Sequence, residues 1–126
     1  MGKIIINTPN APAAIGPYSQ AILAGDTLYC SGQIALDPAT GYLVIGSIAG
    51  ETHQIMKNLI ALLDEAKMSL GNVVKCSIFM SSMDHYAAIN QVYSEYFRVN
   101  PPAREAVAVK TLPKEGNVEI SLIAVL

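Results

Sequence analysis

Three features of the chain predict an α+β fold, a mixed β-sheet with two helices packed on one face. Strand-like, β-branched runs fill the first third. Two stretches then switch to apolar residues at helical spacing, and strand-like runs separate and follow them. The resulting order, β-β-β-α-β-α-β-β, has no internal repeat, low-complexity segment or linker, so one domain spans residues 1–126.

Lys3 to Ile6 is a short β-branched run that reads as an edge strand, closed by Asn7, Pro9, Asn10 and Pro12. Gly16-Pro17 marks a bend just before Tyr18. Gln20 to Ala24 and Thr27 to Ile34 flank Gly25-Asp26, a two-residue hairpin signal. Within the second of these strands, Ser31-Gly32 predicts a bulge or a close backbone approach. Asp37 to Gly41 is a turn. From Ile48 to Ser69, the spacing of Ile55, Leu59, Leu62, Leu63 and Ala66 gives an amphipathic helix. Glu51 suits its positive end, Gln54, Asn58 and Asp64 form its polar face, His53 is solvated, and Gly71 ends it. Val73 to Ser81 is a buried strand. Asp84 is a candidate N-cap for a second helix through Phe97. Pro101-Pro102 stops that helix, and Arg104 to Leu112 alternates as a strand with Arg104 and Ala106 on one side and Glu105 and Val107 on the other. Residues 113–116 form a turn, and Asn117 to Leu126 is the last strand. A hairpin joining 104–112 to 117–126 is the simplest arrangement. The last strand is apolar on both faces, which predicts cover on both sides.

Composition narrows the function classes. The chain is 52% hydrophobic and only 14% charged, with net charge −2, so surplus apolar surface is expected to go into a homo-oligomer. No apolar run reaches the length of a membrane span, and the start shows neither a secretory signal nor a myristoylation pattern, so a cytoplasmic location is expected. The absence of a basic cluster argues against nucleic acid. Cys30 and Cys76 match no metal-ligand spacing and read as buried reduced thiols, a disulfide or a reactive thiol being the minor alternatives.

Candidate site residues stand out for their cost or their chemistry. Arg104 opens a strand beside small alanines, with room for its planar fork to grip a carboxylate; taken alone, the segment favours an arginine paired with a surface acid. Glu119 enters an apolar strand, where a carboxylate is expensive without a partner, so it is either functional or part of an ion pair. Gly32 either relieves a kink or exposes its N–H to a ligand. Tyr18 either packs or walls a pocket, and Asn90 either joins a pocket wall or is solvated.

Six blocks occur in a recognisable order: Ala14-Ile15-Gly16-Pro17-Tyr18-Ser19-Gln20-Ala21, Ser31-Gly32-Gln33, Asp37-Pro38-Ala39-Thr40-Gly41, Asn90-Gln91-Val92-Tyr93, Pro102-Ala103-Arg104, and Leu112-Pro113-Lys114 with Val118-Glu119-Ile120. Together they resemble the Rid/YjgF family (reactive intermediate deaminases, also described as endoribonuclease L-PSP), and within it the RidA subgroup. The resemblance implies a chorismate-mutase-like fold, a homotrimer with clefts between subunits, and hydrolysis of 2-imino and enamine acids such as 2-iminobutanoate and 2-iminopropanoate to 2-keto acids and ammonia. By position, Arg104 would hold the substrate carboxylate and Glu119 would place or activate water. Tyr18, Ser31, Gly32 and Asn90 would line the cleft. Where many RidA members carry a cysteine, this chain has Ala106, which supplies only a backbone carbonyl, and Glu105 could compete for Arg104.

An imine carbon is already electrophilic, so neither metal nor cofactor is expected. The hairpin would put Arg104 and Glu119 ~20 Å apart at about 3.3 Å per residue, so a shared site would need two chains. The competing readings are a ribonuclease or RNA binder, and a non-enzymatic module that binds a small carboxylate.

Overall fold

The computed structural model describes residues 2–126. Its strands are β1 (Lys3–Ile6), β2 (Ala21–Ala24), β3 (Thr27–Gln33), β4 (Val73–Met80), β5 (Ala103–Ala108) and β6 (Val118–Val125); its helices are α1 (Ile48–Glu65) and α2 (Tyr86–Tyr96). They form one mixed sheet in the order β1-β2-β3-β6-β4-β5, with both helices packed on one face. The predicted element order and α+β class are both present.

The core follows from strand alternation. Val118, Ile120, Leu122 and Ala124 of β6 point at the helices together with Cys76, Ile78 and Met80 of β4 and Leu28 of β3. They meet Ile55, Met56, Leu59, Leu62 and Leu63 of α1, all 1% exposed or less. Cys30 and Cys76 are both buried here and both lie opposite Leu122, one on each side of β6. Two strand spacings of about 4.8 Å separate them, which is too far for a disulfide. Burial, with Cys76 nearby, pushes the Cys30 thiol up to about 12.

The hairpin between 104–112 and 117–126 is not formed. β5 runs parallel to β4, and β6 pairs antiparallel with the other side of β4, so β4 lies between them. The reason is α2: a helix linking two strands returns the chain in the same direction, making β4-α2-β5 a parallel crossover unit. β5 also ends at Ala108 rather than at Leu112.

Four local expectations change with the geometry. Asp84 caps nothing: the Ser82 side chain accepts from the Asp84 N–H, and α2 starts at Tyr86. The first helix ends at Glu65 rather than near Ser69. Lys67 adopts a left-handed φ of 59°, its N–H donates to the Asp64 carbonyl, and the Met68 N–H donates to the Leu63 carbonyl. That Schellman-type closure does without glycine and lets Met68 rejoin the core beside Leu63. Asn58 is buried rather than on a polar face; its amide donates to the Leu36 carbonyl at 2.9 Å and pins the loop after β3. His53 is likewise not simply solvated, since its Nδ1 lies 2.8 Å from the Tyr96 hydroxyl.

β6 is also not covered on both sides. Glu119, Ser121, Ile123 and Val125 are only half-buried on the face away from the helices. They lie in cross-strand rows with Tyr29, Phe79 and Val107, of which Tyr29 is 50% exposed. This open sheet face carries part of the exposed apolar surface, Tyr29 and Val107 among it, interleaved with polar Ser77, Glu105 and Ser121.

Candidate active site

A cleft of about 630 Å³ opens at one end of the sheet, lined among others by Ile15, Tyr18, Gln20, Ser31, Gly32, Lys114 and Glu119. Its walls follow from local chain chemistry. The Gln20 amide, almost fully buried, holds the preceding loop: its oxygen accepts from the Thr8 N–H, and its nitrogen donates to the carbonyls of Thr8, Ala11 and Pro12. The predicted bulge is present, as a register shift between Cys30 and Gln33. There the Ser31 hydroxyl donates to the Ser19 carbonyl at 2.6 Å.

Gly32 is required by Glu119. A Cβ built on Gly32 would lie 2.6 Å from Glu119 Oε2 and 2.8 Å from its carboxyl carbon. The missing side chain is therefore the space that Glu119 occupies, an intramolecular close approach. Glu119 is half-buried at the cleft wall, and burial raises its pKa above the ordinary carboxylate value. No cation of the same chain offsets this, since Lys75–Glu105 at 2.9 Å is the one ion pair among the described residues.

The start of β6 is fixed from α1. The buried Glu51 carboxylate accepts from the Asn117 side-chain amide at 2.7 Å and from the Asn117 N–H at 3.1 Å. Asn117 Oδ1 in turn accepts from the Ser81 hydroxyl. Two residues further on, Glu119 enters the cleft. In the sequence Glu51 reads only as a helix-dipole charge, and nothing in its spacing signals this anchor. Gln20 and Lys114 are cleft residues that the sequence marks only through the motifs they belong to; Lys114 carries a left-handed φ of 55°, an unusual conformation for a lysine.

Arg104 and Ala106 stand elsewhere, on the edge strand β5. Arg104 lies opposite Cys76 of β4, and Glu119 lies opposite Phe79. Three positions along β4 is an odd number, so within one chain the two side chains project from opposite faces of the sheet. They are also offset by about 10 Å along the strands and about 10 Å across them. The hairpin-based distance does not hold, but the separation does, for this different reason.

Arg104 faces α2, where its Nη2 donates to the Tyr86 hydroxyl at 2.7 Å. Asn90 is half-buried on the same helical stripe, between Tyr86 and Tyr93. Glu105 does not compete for the guanidinium: on the other face of β5 it accepts from the Ser77 hydroxyl and pairs with Lys75, which lowers its pKa. One chain thus brings Tyr18, Ser31, Gly32 and Glu119 together and leaves Arg104, Ala106 and Asn90 apart.

The endoribonuclease L-PSP family profile matches residues 8–126. A RutC family protein from Pyrococcus horikoshii is 48% identical over 97% of each chain. The 2-iminobutanoate/2-iminopropanoate deaminase of Bos taurus is 47% identical over 96% of this chain and 88% of its own length. The crystal structure of YyfA, a Rid family protein of unknown function from Yersinia pestis, superposes with a TM-score of 0.97 at 44% identity, covering 99% of this chain and all of that one. The chain therefore belongs to the Rid/YjgF (endoribonuclease L-PSP) family.

Proposed function

We propose that the protein hydrolyses reactive 2-imino and enamine acids, such as 2-iminobutanoate and 2-iminopropanoate, to 2-keto acids and ammonia. The relatives named as deaminases support this chemistry, and one observation of this chain carries it. A half-buried carboxylate without a cation and a guanidinium without a carboxylate lie on opposite faces of a single sheet. Each is completed if copies associate so that the Arg104 edge of one meets the Glu119 cleft of the next. The open sheet face supplies apolar surface for such an assembly, and a homotrimer closes it symmetrically.

In the assembled site, Arg104 grips the substrate carboxylate through paired hydrogen bonds and sets the imine carbon over the cleft. Glu119 takes a proton from water as its oxygen attacks that carbon. It returns the proton to nitrogen to give the carbinolamine, then carries the carbinolamine's hydroxyl proton to the same nitrogen as the C–N bond breaks, leaving keto acid and ammonia. Tyr18, Ser31 and Gly32 line the cleft, and Asn90 and the Ala106 carbonyl lie on the arginine side. Burial raises the Glu119 pKa in the isolated chain, and the Arg104 of a neighbouring copy would draw it back down, leaving the carboxylate ionised to take the proton from water.

The test is ammonia or keto-acid release from freshly generated 2-iminobutanoate and 2-iminopropanoate. Accelerated release in wild type, lost in Arg104→Ala with the fold retained, supports the proposal. No acceleration, together with salt-dependent RNA cleavage, would favour the nuclease that the family description names.

A further inference from the structure

The Arg104 guanidinium rests on aromatic rings rather than against an acid. Its carbon lies 4.9 Å from the Tyr93 ring centroid and 5.6 Å from that of Tyr86. Tyr86 and Tyr93 are seven residues apart on α2, two helical turns along one stripe, so both rings face the same edge of the sheet. The two rings differ in how they are held. Tyr93 is 4% exposed and packs against Phe97 at 4.8 Å, with its hydroxyl buried beside the Cys76 thiol. Its place is set by the core. Tyr86 is at the surface, and its polar contact here is the bond from Arg104 Nη2.

An arginine at a sheet edge ordinarily samples many rotamers, and ordering it at binding costs affinity. Here the cation–π contacts hold the guanidinium at the rings, and the Tyr86 hydroxyl restrains its rotation while using one of five donors. The remaining donors are left to a ligand. We infer that Tyr86 is a positioning residue for substrate binding: its hydroxyl holds the Arg104 guanidinium, over the Tyr93 ring, in the orientation that receives the substrate carboxylate. This rests on the deaminase reading above, in which Arg104 is the carboxylate clamp. It adds a residue of α2, remote from the cleft of its own chain, as a determinant of affinity.

The experiment measures binding of 2-oxobutanoate by calorimetry, and steady-state hydrolysis of 2-iminobutanoate, for wild type, Arg104→Ala, Tyr86→Phe and Tyr86→Ala. Tyr86→Phe keeps the ring and removes the hydroxyl. It is expected to weaken 2-oxobutanoate binding and raise KM about fivefold, the size of one hydrogen-bond contribution. Its kcat should change less than twofold and its denaturation midpoint should not move. Tyr86→Ala, losing the ring as well, should weaken binding further, and a purely structural tyrosine would not give that split. Wild-type affinity and KM in both Tyr86 variants, with binding lost in Arg104→Ala, would overturn the positioning role and leave the deaminase reading standing. Undiminished binding in Arg104→Ala would overturn both.

Discussion

Replacing Gly32 by alanine tests whether the cleft works through the placement of Glu119. The added methyl would lie 2.6 Å from Glu119 Oε2, 2.8 Å from its carboxyl carbon and 3.1 Å from its Cγ. All three atoms belong to the outer part of a flexible side chain, so the strand need not move. Instead the carboxylate must rotate away by an ångström or more. Off-rotamer accommodation costs about 0.5–1.5 kcal/mol, while replacing a strand glycine by alanine returns roughly 0.5–1 kcal/mol of backbone entropy. Stability measured by urea denaturation should therefore stay within about 1 kcal/mol of wild type. Catalysis should not be spared, because a misplacement of ~1 Å in a reacting group costs on the order of a hundredfold in rate. The assay is single-turnover hydrolysis of 2-iminobutanoate, with Glu119→Gln and the double variant alongside. Since both changes act on one carboxylate, the double variant should be no slower than Glu119→Gln alone. A Gly32→Ala protein with full activity, or losses that simply multiply, would refute the reasoning.

Other predictions follow from the same geometry. Glu51→Ala should cost about 2 kcal/mol in urea denaturation, since it leaves the half-buried Asn117 amide groups without their charged acceptor. Asn58→Ala should cost about 2 kcal/mol and loosen the loop after β3, because the Leu36 carbonyl loses its donor. Association should tighten as pH rises through the Glu119 value. The isolated chain holds that pKa raised by burial, a neighbouring Arg104 would lower it, and the assembled form would then bind fewer protons. Sedimentation at pH 5 and pH 7.5 checks the sign, and Glu119→Gln should abolish the difference. The stabilisation from Glu105 has the same pH sense. Because its pKa is lowered in the folded chain, the stability gap between wild type and Glu105→Gln should be present at pH 7 and close as pH falls through the folded value.

The fold was largely legible because its signals are local. Gly25 between two apolar runs did mark a hairpin, and it carries a left-handed φ of 60°. The isoleucine–leucine spacing of α1 did mark its buried stripe. What failed was pairing at a distance. A short turn at residues 113–116 suggests that its flanking strands are neighbours, yet the helix between β4 and β5 imposes a parallel pair and leaves β6 to the other side of β4. The strand–helix–strand order carries that information and outweighs the length of the turn, because the packed helix fixes the direction of β5. Polar residues inside the helix misled for a related reason. Nothing in the spacing of Asn58 or Glu51 distinguishes a solvated amide or acid from one that bonds a distant loop. At the site, Ser31-Gly32 and Glu119 were singled out for their cost in a strand, and the structure joins them in one cleft. The tyrosines that hold Arg104 were not legible, since apolar spacing alone assigns Tyr93 to the core and says nothing of a guanidinium above it.

In the proposed mechanism Arg104 and Glu119 act on one substrate from two copies of the chain. Arg104→Ala and Glu119→Gln proteins, each inactive alone, can be co-refolded in equal amounts and assayed for 2-iminobutanoate hydrolysis. Random assembly gives about a quarter of the inter-subunit sites both intact groups, so activity should return to about 25% of wild type. A mixture as inactive as its parents would rule out a site shared between two copies.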